Sequence, residues 1–273
     1  MALNEPDDPT AKYGDLKAEI TDISRQRAPN EACGFIIKAG KEARVIETPN
    51  TSATPKQTFR IAPEDFERAE DAGKIAVVWH SHYNQRPDPS MGDKVMSERC
   101  KLPFLIVSVP NGEFAYYEPN GYEAPLLERP FVHGVLDCFS AFRDYYKRVL
   151  NIDLPEFERE DDWWKKGGNL YLKNYKKGNF KLFNKDDVPI QKHDGLLMAI
   201  RSEVVNHIAV YLGDGVIYHH LQGRLSEEVP YVIDRGYYPK QTRHVVRHAS
   251  LCSSTSDSMD GSEKSTGDGG GST

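Results

Sequence analysis

The sequence predicts an α+β protein of two domains followed by a polar tail. Helix-like and strand-like segments alternate in both halves of the 273-residue chain, and a proline-rich stretch at 119–130 separates them. Apolar residues make up 38% of the chain, which is enough for two ordinary cores and excludes a disordered protein. We therefore expect a first domain at 10–118, a linker at 119–130, a second domain at 131–250 and a disordered tail at 252–273.

The charge and hydropathy of the chain exclude two classes of partner. The formal net charge is −6, so the sequence offers no basic face, and we expect no nucleic acid binding. The longest apolar runs, such as "IAVVW" (75–79), are too short to cross a bilayer, and we expect no membrane insertion. Residues 1–15 are polar and acidic and predict no secretory signal.

Four cysteines lie far apart in the sequence, at Cys33, Cys100, Cys138 and Cys252. In a chain of this size such spacing is not typical of a disulfide framework. We expect reduced thiols in a protein made in the cytosol.

Periodicity and turn residues predict the elements of the first domain. The spacing of Leu16, Ile20 and Ile23 is typical of an amphipathic helix. The further predictions are strands at 33–38 and 43–48, a helix at 62–73, a buried strand at 74–79, a helix at 90–100 and a hairpin at 103–118. Ser90 and Asp93 match a capping box at the start of the helix at 90–100.

The second domain is predicted to begin with a helix. Asp137 is its candidate N-cap, and Phe139, Phe142 and Tyr146 share one face. Strands are predicted at 195–200, 207–213 and 216–220, with a last strand within 242–250. The segment at 151–193 is rich in Lys, Asp, Trp and Asn, and we assign it loops and at most one helix.

Two histidines at the end of the predicted strand 74–79 form a candidate metal site with an aspartate. Residues i and i+2 of an extended chain point the same way, so His80 and His82 can direct both imidazoles at one ion. Asp93, in the first turn of the next helix, can add a carboxylate oxygen. Two His and one Asp leave a fourth position open for water, the pattern of a catalytic zinc site. The alternative is a solvated polar turn, because His-X-His alone is common.

Two further polar residues suit hydrolysis at such a site. Glu31 lies just before the predicted strand 33–38 and is a candidate general base. Ser90 is a candidate hydrogen-bond donor to the oxyanion of a tetrahedral intermediate. Zinc brings the pKa of bound water to roughly 7, so this set predicts hydrolysis at neutral pH.

The complete pattern resembles a known family. From Glu31 through the His-Ser-His triplet to Ser90 and Asp93, it resembles the JAB/MPN metalloprotease (JAMM) family, and "EACGF" is close to the family's usual context for its Glu. The resemblance covers about residues 10–118 and implies an α/β/α domain with Zn²⁺ as cofactor. The implied metal ligands are His80, His82 and Asp93, with Glu31 as general base and Ser90 as oxyanion stabiliser.

A second candidate site is built around Cys138. As the first residue of its predicted helix, Cys138 lies at the positive end of the helix dipole, which favours the thiolate. A short hairpin can place His207 and His219 together, with His207 as base, His219 orienting its ring and the Cys138 N–H in an oxyanion hole. The alternative is a thiol buried for packing. Of the adjacent pair His219 and His220, we expect one to face solvent.

The residues around this cysteine resemble a second family. "DCFSAF" followed by "NHIAVYLGDGVIYHH" is similar to the NlpC/P60 cysteine peptidases, which implies a papain-like domain over about residues 131–225. The implied catalytic residues are Cys138, His207 and His219. Ala209 stands where the family often has Gly, "DGLLMA" replaces the usual "GDLL", and Tyr122 is the candidate for a Tyr that often precedes the Cys. These departures concern the substrate pocket more than the catalytic pair.

The two domains in this order resemble the tail-tip assembly proteins of lambda-like phages. That resemblance implies a protein made in the host cytoplasm that reaches the cell wall in a virion tail tip, with other phage tail-tip proteins as partners. It also implies amide hydrolysis at two sites. The cysteine site is expected to cleave peptidoglycan stem peptides between D-Glu and diaminopimelate, and the zinc site a peptide or isopeptide bond in an unidentified protein.

Two other functions fit the same residues. In the first, the chain is a tail assembly factor or scaffold that is non-enzymatic or processes only tail proteins. Every residue of the zinc pattern is present, and so are Cys138, His207 and His219. Their presence favours an enzyme over this alternative. In the second, the chain is a host deubiquitinase-like or wall-remodelling enzyme, and the latter role requires a signal peptide.

Overall fold

The computed structural model describes residues 8–40, 42–232 and 235–252, and all of the predicted tail except Cys252 lies outside these ranges. Within them the chain forms two β-sheets, each covered by helices, as the predicted two-domain α+β class requires. No helix in the described part of the chain is both long and apolar enough to cross a membrane. All four cysteines are free thiols.

The first sheet is built from residues before Glu118. Its elements are α1 (Gly14–Arg27), β1 (Cys33–Ala39), β2 (Glu42–Thr48), α2 (Pro63–Ala72), β3 (Lys74–Tyr83), α3 (Met91–Cys100), β4 (Phe104–Val109) and β5 (Phe114–Tyr117). The strand order is β2-β1-β3-β4-β5, and only β3 and β4 run parallel among these pairs. A parallel pair needs a crossover, which α3 supplies. The first turn of α3 therefore follows closely on the last residues of β3.

Helices cover both faces of this sheet. On one face Ile20 of α1 packs with Ile36 and Trp79. On the other face Ala69 of α2 packs with Phe35, and Met96 and Cys100 of α3 join the same cluster. The strands are buried from both sides, which gives the α/β/α arrangement expected from the sequence.

The strand that carries the two histidines is longer than predicted. β3 continues to Tyr83 instead of ending at position 79, because Ser81 and His82 pair with Val107 and Ser108 of β4. The histidines therefore lie within a paired strand. Pairing fixes the direction of both side chains more firmly than a strand end would.

The second sheet belongs to residues after the predicted linker. Its elements are α4 (Cys138–Leu150), α5 (Leu170–Asn174), β6 (Phe180–Asn184), β7 (Gly195–Met198), β8 (His207–Gly213), β9 (Val216–His219), β10 (Glu227–Pro230), α6 (Tyr237–Gln241) and β11 (Thr242–His248). The order is β10-β9-β8-β7-β11-β6, and all pairs are antiparallel. Phe139, Phe142 and Tyr146 of α4 pack on one face, as predicted, against Ile208 and Val246.

Three elements of this domain were not predicted. β6 lies in the segment 151–193, to which the sequence assigned only loops and one helix, and β10 and α6 follow the last predicted hairpin. β6 and β10 are the two edges of the sheet, and their residues are half-buried or exposed. Short edge strands of this kind lack a clear apolar alternation, which is why periodicity missed them.

Side chains also connect the two domains. Arg99 of α3 donates hydrogen bonds to the carbonyl oxygens of Gly134 (3.0 Å) and Val135 (2.9 Å). Arg60 donates to both carboxylate oxygens of Asp161, at 2.9 and 3.1 Å. These bonds join the first domain to the segments on either side of α4.

The first turn of α4 is held by a buried ion pair. Asp137 is the N-cap: its carboxylate accepts from the backbone N–H groups of Ser140 (2.9 Å) and Gly134 (2.9 Å) and from Arg159 Nε (2.7 Å). Burial acts to raise the pKa of Asp137, but the Arg159 guanidinium and these N–H groups outweigh it and lower the pKa to about 2. The N-cap predicted from the sequence is confirmed, and its partner Arg159 lies in the unassigned segment.

Replacing Arg159 tests this ion pair. Arg159→Ala leaves the Asp137 carboxylate buried without its cation, which we expect to lower the free energy of unfolding by about 3–5 kcal/mol at pH 7. In the wild type the contribution of Asp137 is complete above its unfolded pKa of about 3.9 and is lost as the pH falls towards 2. The free energies of unfolding of the wild type and Arg159→Ala, measured with urea, should therefore differ less at pH 3 than at pH 7.

The exposed pair of Lys165 and Asp162 provides the control for Arg159→Ala. Lys165→Ala should change the free energy of unfolding by less than about 1 kcal/mol, because solvent screens this pair. An equal loss in Arg159→Ala at pH 7 and pH 3 would contradict an ionic role for Arg159.

Candidate metal and cysteine sites

His80, His82 and Asp93 meet at the junction of β3 and α3. The two Nε2 atoms of the histidines are 3.1 Å apart, and Asp93 places Oδ1 3.3 Å from His80 Nε2 and Oδ2 3.6 Å from His82 Nε2. All three side chains are buried. The structure thus brings together the three residues that the sequence predicts as metal ligands, and they form a possible metal site.

A capping box directs the aspartate to this point. Ser90 is the N-cap of α3, and its hydroxyl accepts from the Asp93 N–H (3.1 Å) while the Ser90 N–H donates to Asp93 Oδ2 (2.8 Å). The box was predicted from the sequence and is confirmed. The capping box turns the Asp93 carboxylate back towards the start of α3, which lies close to the end of β3.

The spacing of the donor atoms fits a tetrahedral ion. Zinc binds His nitrogens and carboxylate oxygens at about 2.0–2.2 Å, so two ligand atoms of a tetrahedron lie about 3.3 Å apart. The 3.1 Å separation of the two Nε2 atoms is close to this value, and each Nε2 has a different Asp93 oxygen near it, at 3.3 Å from His80 and 3.6 Å from His82. His82 Nδ1 lies 3.0 Å from the carbonyl oxygen of Arg86, which places the proton on Nδ1 and the lone pair on Nε2. Phe59 stacks on the His80 ring at a centroid distance of 4.5 Å.

The electrostatics of this site favour an ionised aspartate. Burial acts to raise the pKa of Asp93, but the His80 and His82 rings and the Ser90 cap outweigh it and hold the pKa well below its usual range. Burial, helped by the His82 ring, lowers the pKa of His80, although Asp93 acts to raise it. A neutral imidazole beside a carboxylate is the protonation state in which both bind a metal.

Glu31 is held next to the metal-binding trio by the strand neighbouring β3. The Ala32 N–H donates to Ser81 Oγ (2.9 Å) and the Ser81 N–H to the Ala32 carbonyl (3.0 Å), while Asn50 Nδ2 donates to the Glu31 carbonyl (2.9 Å). Burial raises the pKa of Glu31 to about 8, and the Asp93 carboxylate acts in the same direction. Sequence reasoning missed Asn50 and the supporting role of Ser81, although Ser81 stands between the two histidines.

Ser90 serves first as a helix cap. Its hydroxyl oxygen accepts the Asp93 N–H, which leaves the hydroxyl hydrogen able to donate to another group. The predicted role as oxyanion donor is compatible with this geometry and stays a prediction.

Cys138 is the first residue of α4 and is partly exposed. Its Sγ lies 3.2 Å from the Tyr171 hydroxyl. Burial raises the pKa of the Cys138 thiol to about 11, Asp137 adds to this, and Tyr171 and the Ile208 N–H act in the opposite direction. Burial therefore outweighs the effect of the helix terminus in the resting protein, and Cys138 needs a base to form the thiolate. Ile208 directly follows His207, so the thiol lies beside the first residues of β8.

His207 and His219 form a buried pair on neighbouring strands. His207 Nε2 lies 3.1 Å from His219 Nδ1. Burial lowers the pKa of His219 to about 4 and that of His207 well below its usual range, so both rings are neutral. With Nε2 engaged by His219, Nδ1 is the nitrogen of His207 that remains to accept a thiol proton. The pair predicted from the sequence is thus brought together at the strand start that borders Cys138.

One expectation about the histidines of this site is wrong. Both His219 and His220 are buried, although one of them was expected to face solvent, because Tyr238 packs on the His219 ring and Phe131 on the His220 ring. The tyrosine whose hydroxyl contacts the thiol is Tyr171, and the Tyr122 ring lies under Lys94. The candidate role of Tyr122 stays a prediction. Tyr171 comes from α5, in the segment 151–193, and no motif marked it in the sequence.

Comparisons with known proteins find one family in each half of the chain. Residues 15–118 match a family described as prokaryotic homologs of the JAB domain, and residues 128–247 match the NlpC/P60 family. Each match contains one of the two candidate sites. The two family resemblances read from the motifs are confirmed.

Two curated relatives match more than two thirds of the chain. The chain is 34% identical over 222 residues to the tail tip assembly protein K of Escherichia phage N15, covering 81% of this chain and 88% of the relative. It is 36% identical over 188 residues to the tail tip assembly protein K of Escherichia phage lambda, covering 69% and 89%. A crystal structure of an NlpC/P60 family protein from Bacillus cereus is 13% identical over 85% of this chain and 66% of that one, and its TM-score of 0.30 is too low to bear on the fold.

The zinc content of the purified chain tests whether His80, His82 and Asp93 bind a metal. We expect the purified chain to bind about one equivalent of zinc and His82→Ala to bind essentially none, because the change removes one of three ligands. Plasma mass spectrometry after dialysis measures this directly. His244→Ala, which changes a histidine of β11 in the other domain, should keep the wild-type zinc content. Unchanged zinc in His82→Ala would rule out the ligand set.

Proposed function

The chain belongs to the family of the tail tip assembly proteins K, and we propose that it acts in assembling a phage tail tip and carries two peptidase sites. One is a cysteine endopeptidase site in the NlpC/P60 domain that cleaves peptidoglycan stem peptides. The other is a zinc peptidase site in the JAB domain. The observation that supports chemistry most strongly is the buried pair of His207 and His219, because Ile208, the residue after His207, directs its N–H at the Cys138 thiol.

In the proposed cysteine reaction, His207 takes the thiol proton as Cys138 Sγ attacks the scissile carbonyl carbon. The tetrahedral intermediate collapses to a thioester, and the proton held by His207 passes to the leaving amine. His207 then removes a proton from water, which hydrolyses the thioester and restores the thiol. Because burial keeps the resting thiol protonated, this reaction depends on His207 as a base rather than on a preformed thiolate.

Backbone and hydroxyl groups complete the proposed cysteine site. The Cys138 N–H belongs to the first turn of α4, where N–H groups lack intrahelical acceptors, and it can donate to the oxyanion. The Tyr171 hydroxyl, 3.2 Å from the sulfur, holds the thiol at the helix terminus. The stem-peptide bond that we propose as substrate is the one between D-Glu and diaminopimelate.

In the JAB domain, we assign His80, His82 and Asp93 to hold zinc. When bound, zinc supplies a Lewis acid and lowers the pKa of a water molecule so that it can act as a nucleophile at neutral pH. Burial alone would keep Glu31 largely protonated at neutral pH, and the positive charge of an ion held by the trio would offset this and favour the carboxylate. Glu31 then takes the proton of the attacking water and passes it to the leaving amine, and the Ser90 hydroxyl donates to the developing oxyanion. A peptide or isopeptide bond in a tail protein suits this direct hydrolysis, which forms no acyl-enzyme.

The alternative is an assembly factor whose domains serve as docking surfaces. The relatives' names, tail tip assembly protein, favour an assembly role with other tail-tip proteins as partners. We propose the host cytoplasm as the place of assembly. This role is compatible with chemistry carried out during assembly. Cleavage assays separate the two functions.

Thiol reactivity tests the cysteine site. We expect Cys138 to be alkylated by iodoacetamide faster at pH 7 than Cys33, Cys100 or Cys252, because His207 accepts its proton. Peptide mass spectrometry after brief labelling of the native chain ranks the four thiols. His207→Ala should slow the alkylation of Cys138 by about tenfold or more and leave the alkylation of the other three cysteines unchanged. Faster labelling of any other cysteine in the wild type would contradict an activated nucleophile.

Digestion of purified peptidoglycan tests the substrate. We expect the wild type and His80→Ala to release fragments cut within the stem peptide and Cys138→Ala to release none, because only the cysteine forms the acyl-enzyme. Mass spectrometry of the products identifies the bond that is cut. If no variant cleaves peptidoglycan while zinc binds and Cys138 is reactive, the protein-processing assembly factor is the better account.

A further inference from the structure

We infer that Glu227 is a positioning residue for the cysteine site, because it selects the tautomer of His219 in which His207 can act as a base. This inference rests on the proposed cysteine reaction. It adds a fourth side chain to Cys138, His207 and His219, from a strand that carried no predicted motif.

The register of the sheet places Glu227 beside His219. β10 pairs with β9 so that Glu227 is directly opposite His219. Side chains of directly opposite residues lie on the same face of an antiparallel sheet. The Glu227 Oε1 atom is 3.8 Å from His219 Nε2, and the His219 side chain is fully buried.

His219 Nε2 lacks a hydrogen-bond partner among the described residues, although it is buried. Its other nitrogen, Nδ1, is engaged with His207 Nε2 at 3.1 Å. A buried ring nitrogen without a partner is unfavourable, and one of the two histidines must direct an N–H outward from the pair. The partner that Nε2 finds therefore decides how protons are arranged on both rings.

The neutral pair has two arrangements. In the first, His207 carries its proton on Nε2 and donates to His219 Nδ1, so His207 Nδ1 is bare and can accept the thiol proton. In the second, His219 Nδ1 donates to His207 Nε2, so His207 has its proton on Nδ1 and cannot act as a base. The first arrangement puts an N–H on His219 Nε2, and the second leaves that atom bare.

A carboxylate opposite His219 Nε2 selects the first arrangement, because it accepts hydrogen bonds and never donates them when ionised. Glu227 must move by about 1 Å to bring Oε1 within hydrogen-bond distance of Nε2. Its present partner is Arg224, at 3.3 Å, whose side chain is 63% exposed. An exposed ion pair of this kind is weak, so it opposes the movement little. The negative charge also favours the imidazolium that His207 becomes after proton transfer.

Other charged and titratable groups also border these rings and the thiol. Those that face His219 are His207 from β8, Glu227 from β10, Arg224 from the turn before β10 and Tyr238 from α6. Those that face His207 or Cys138 are His220, Asp137, Arg159 and Tyr171. Of these, Glu227 is the carboxylate that lies opposite His219 Nε2.

The test is the pH dependence of Cys138 alkylation by iodoacetamide in the full chain. With Glu227→Ala we expect the rate at pH 7 to fall by about tenfold and to approach the wild-type rate near pH 10, where hydroxide replaces His207 as the base. Glu227→Gln, whose amide can accept or donate a hydrogen bond, should have an alkylation rate at pH 7 between those of the wild type and Glu227→Ala. Glu228→Gln changes the next residue, which is opposite Tyr218 on the other face, and should leave the profile unchanged.

Side-chain nitrogen NMR of the same proteins gives a second readout. In the wild type we expect His219 to carry its proton on Nε2, and in Glu227→Ala we expect a mixture of tautomers, a change that a loss of packing alone does not produce. A wild-type His219 with its proton on Nδ1 would overturn the inference. So would a Glu227→Ala profile identical to that of the wild type.

Failure of the proposed cysteine reaction and failure of the inference about Glu227 give different results. If Cys138 labelling in the wild type does not depend on His207, the proposed cysteine reaction fails, and the inference about Glu227 fails with it. If labelling depends on His207 but not on Glu227, only the inference is wrong.

Discussion

The first turn of a helix leaves backbone N–H groups without acceptors, and both candidate sites are built on the side chains that satisfy them. In α3 the cap is Ser90 with Asp93, and the same carboxylate that closes the box approaches the two histidines. In α4 the cap is Asp137, which fixes the residue after it, Cys138, at the helix start. Removing either cap would displace a group of the site along with the helix terminus, a loss of about 1 kcal/mol or more in stability alone.

Burial favours the neutral form of titratable side chains at both sites, but neighbouring groups overcome it at Asp93. At the metal trio it keeps a histidine neutral while neighbouring rings keep Asp93 ionised, and these are the forms that bind a cation. At the cysteine it keeps the thiol protonated and both histidines neutral. Proton transfer there depends on which ring nitrogen is bare. The backbone carbonyl of Arg86 fixes the tautomer in the first site, and a carboxylate is suited to do so in the second.

The two sites are also joined through the chain. α3 carries Asp93 in its first turn and Arg99 in its last, and Arg99 binds the carbonyl groups of the segment that leads into Cys138. Arg60 follows Phe59, which stacks on His80, and binds Asp161 close to Arg159. Two hydrogen-bonded arginines therefore hold the domains together near both candidate sites, an arrangement that suits a chain acting as one unit in a tail tip.

The sequence by itself determined what depends on neighbours in the chain. Periodicity predicted most helices and strands, the capping box of α3 came from two residues three apart, and the i, i+2 spacing aimed His80 and His82 together. Tertiary structure decided the rest. Tyr171 reaches the thiol across 33 positions, Glu227 lies opposite His219 through edge-strand pairing, and His220 is buried by Phe131. Such contacts join segments brought together only by packing, so local pattern carries no signal for them.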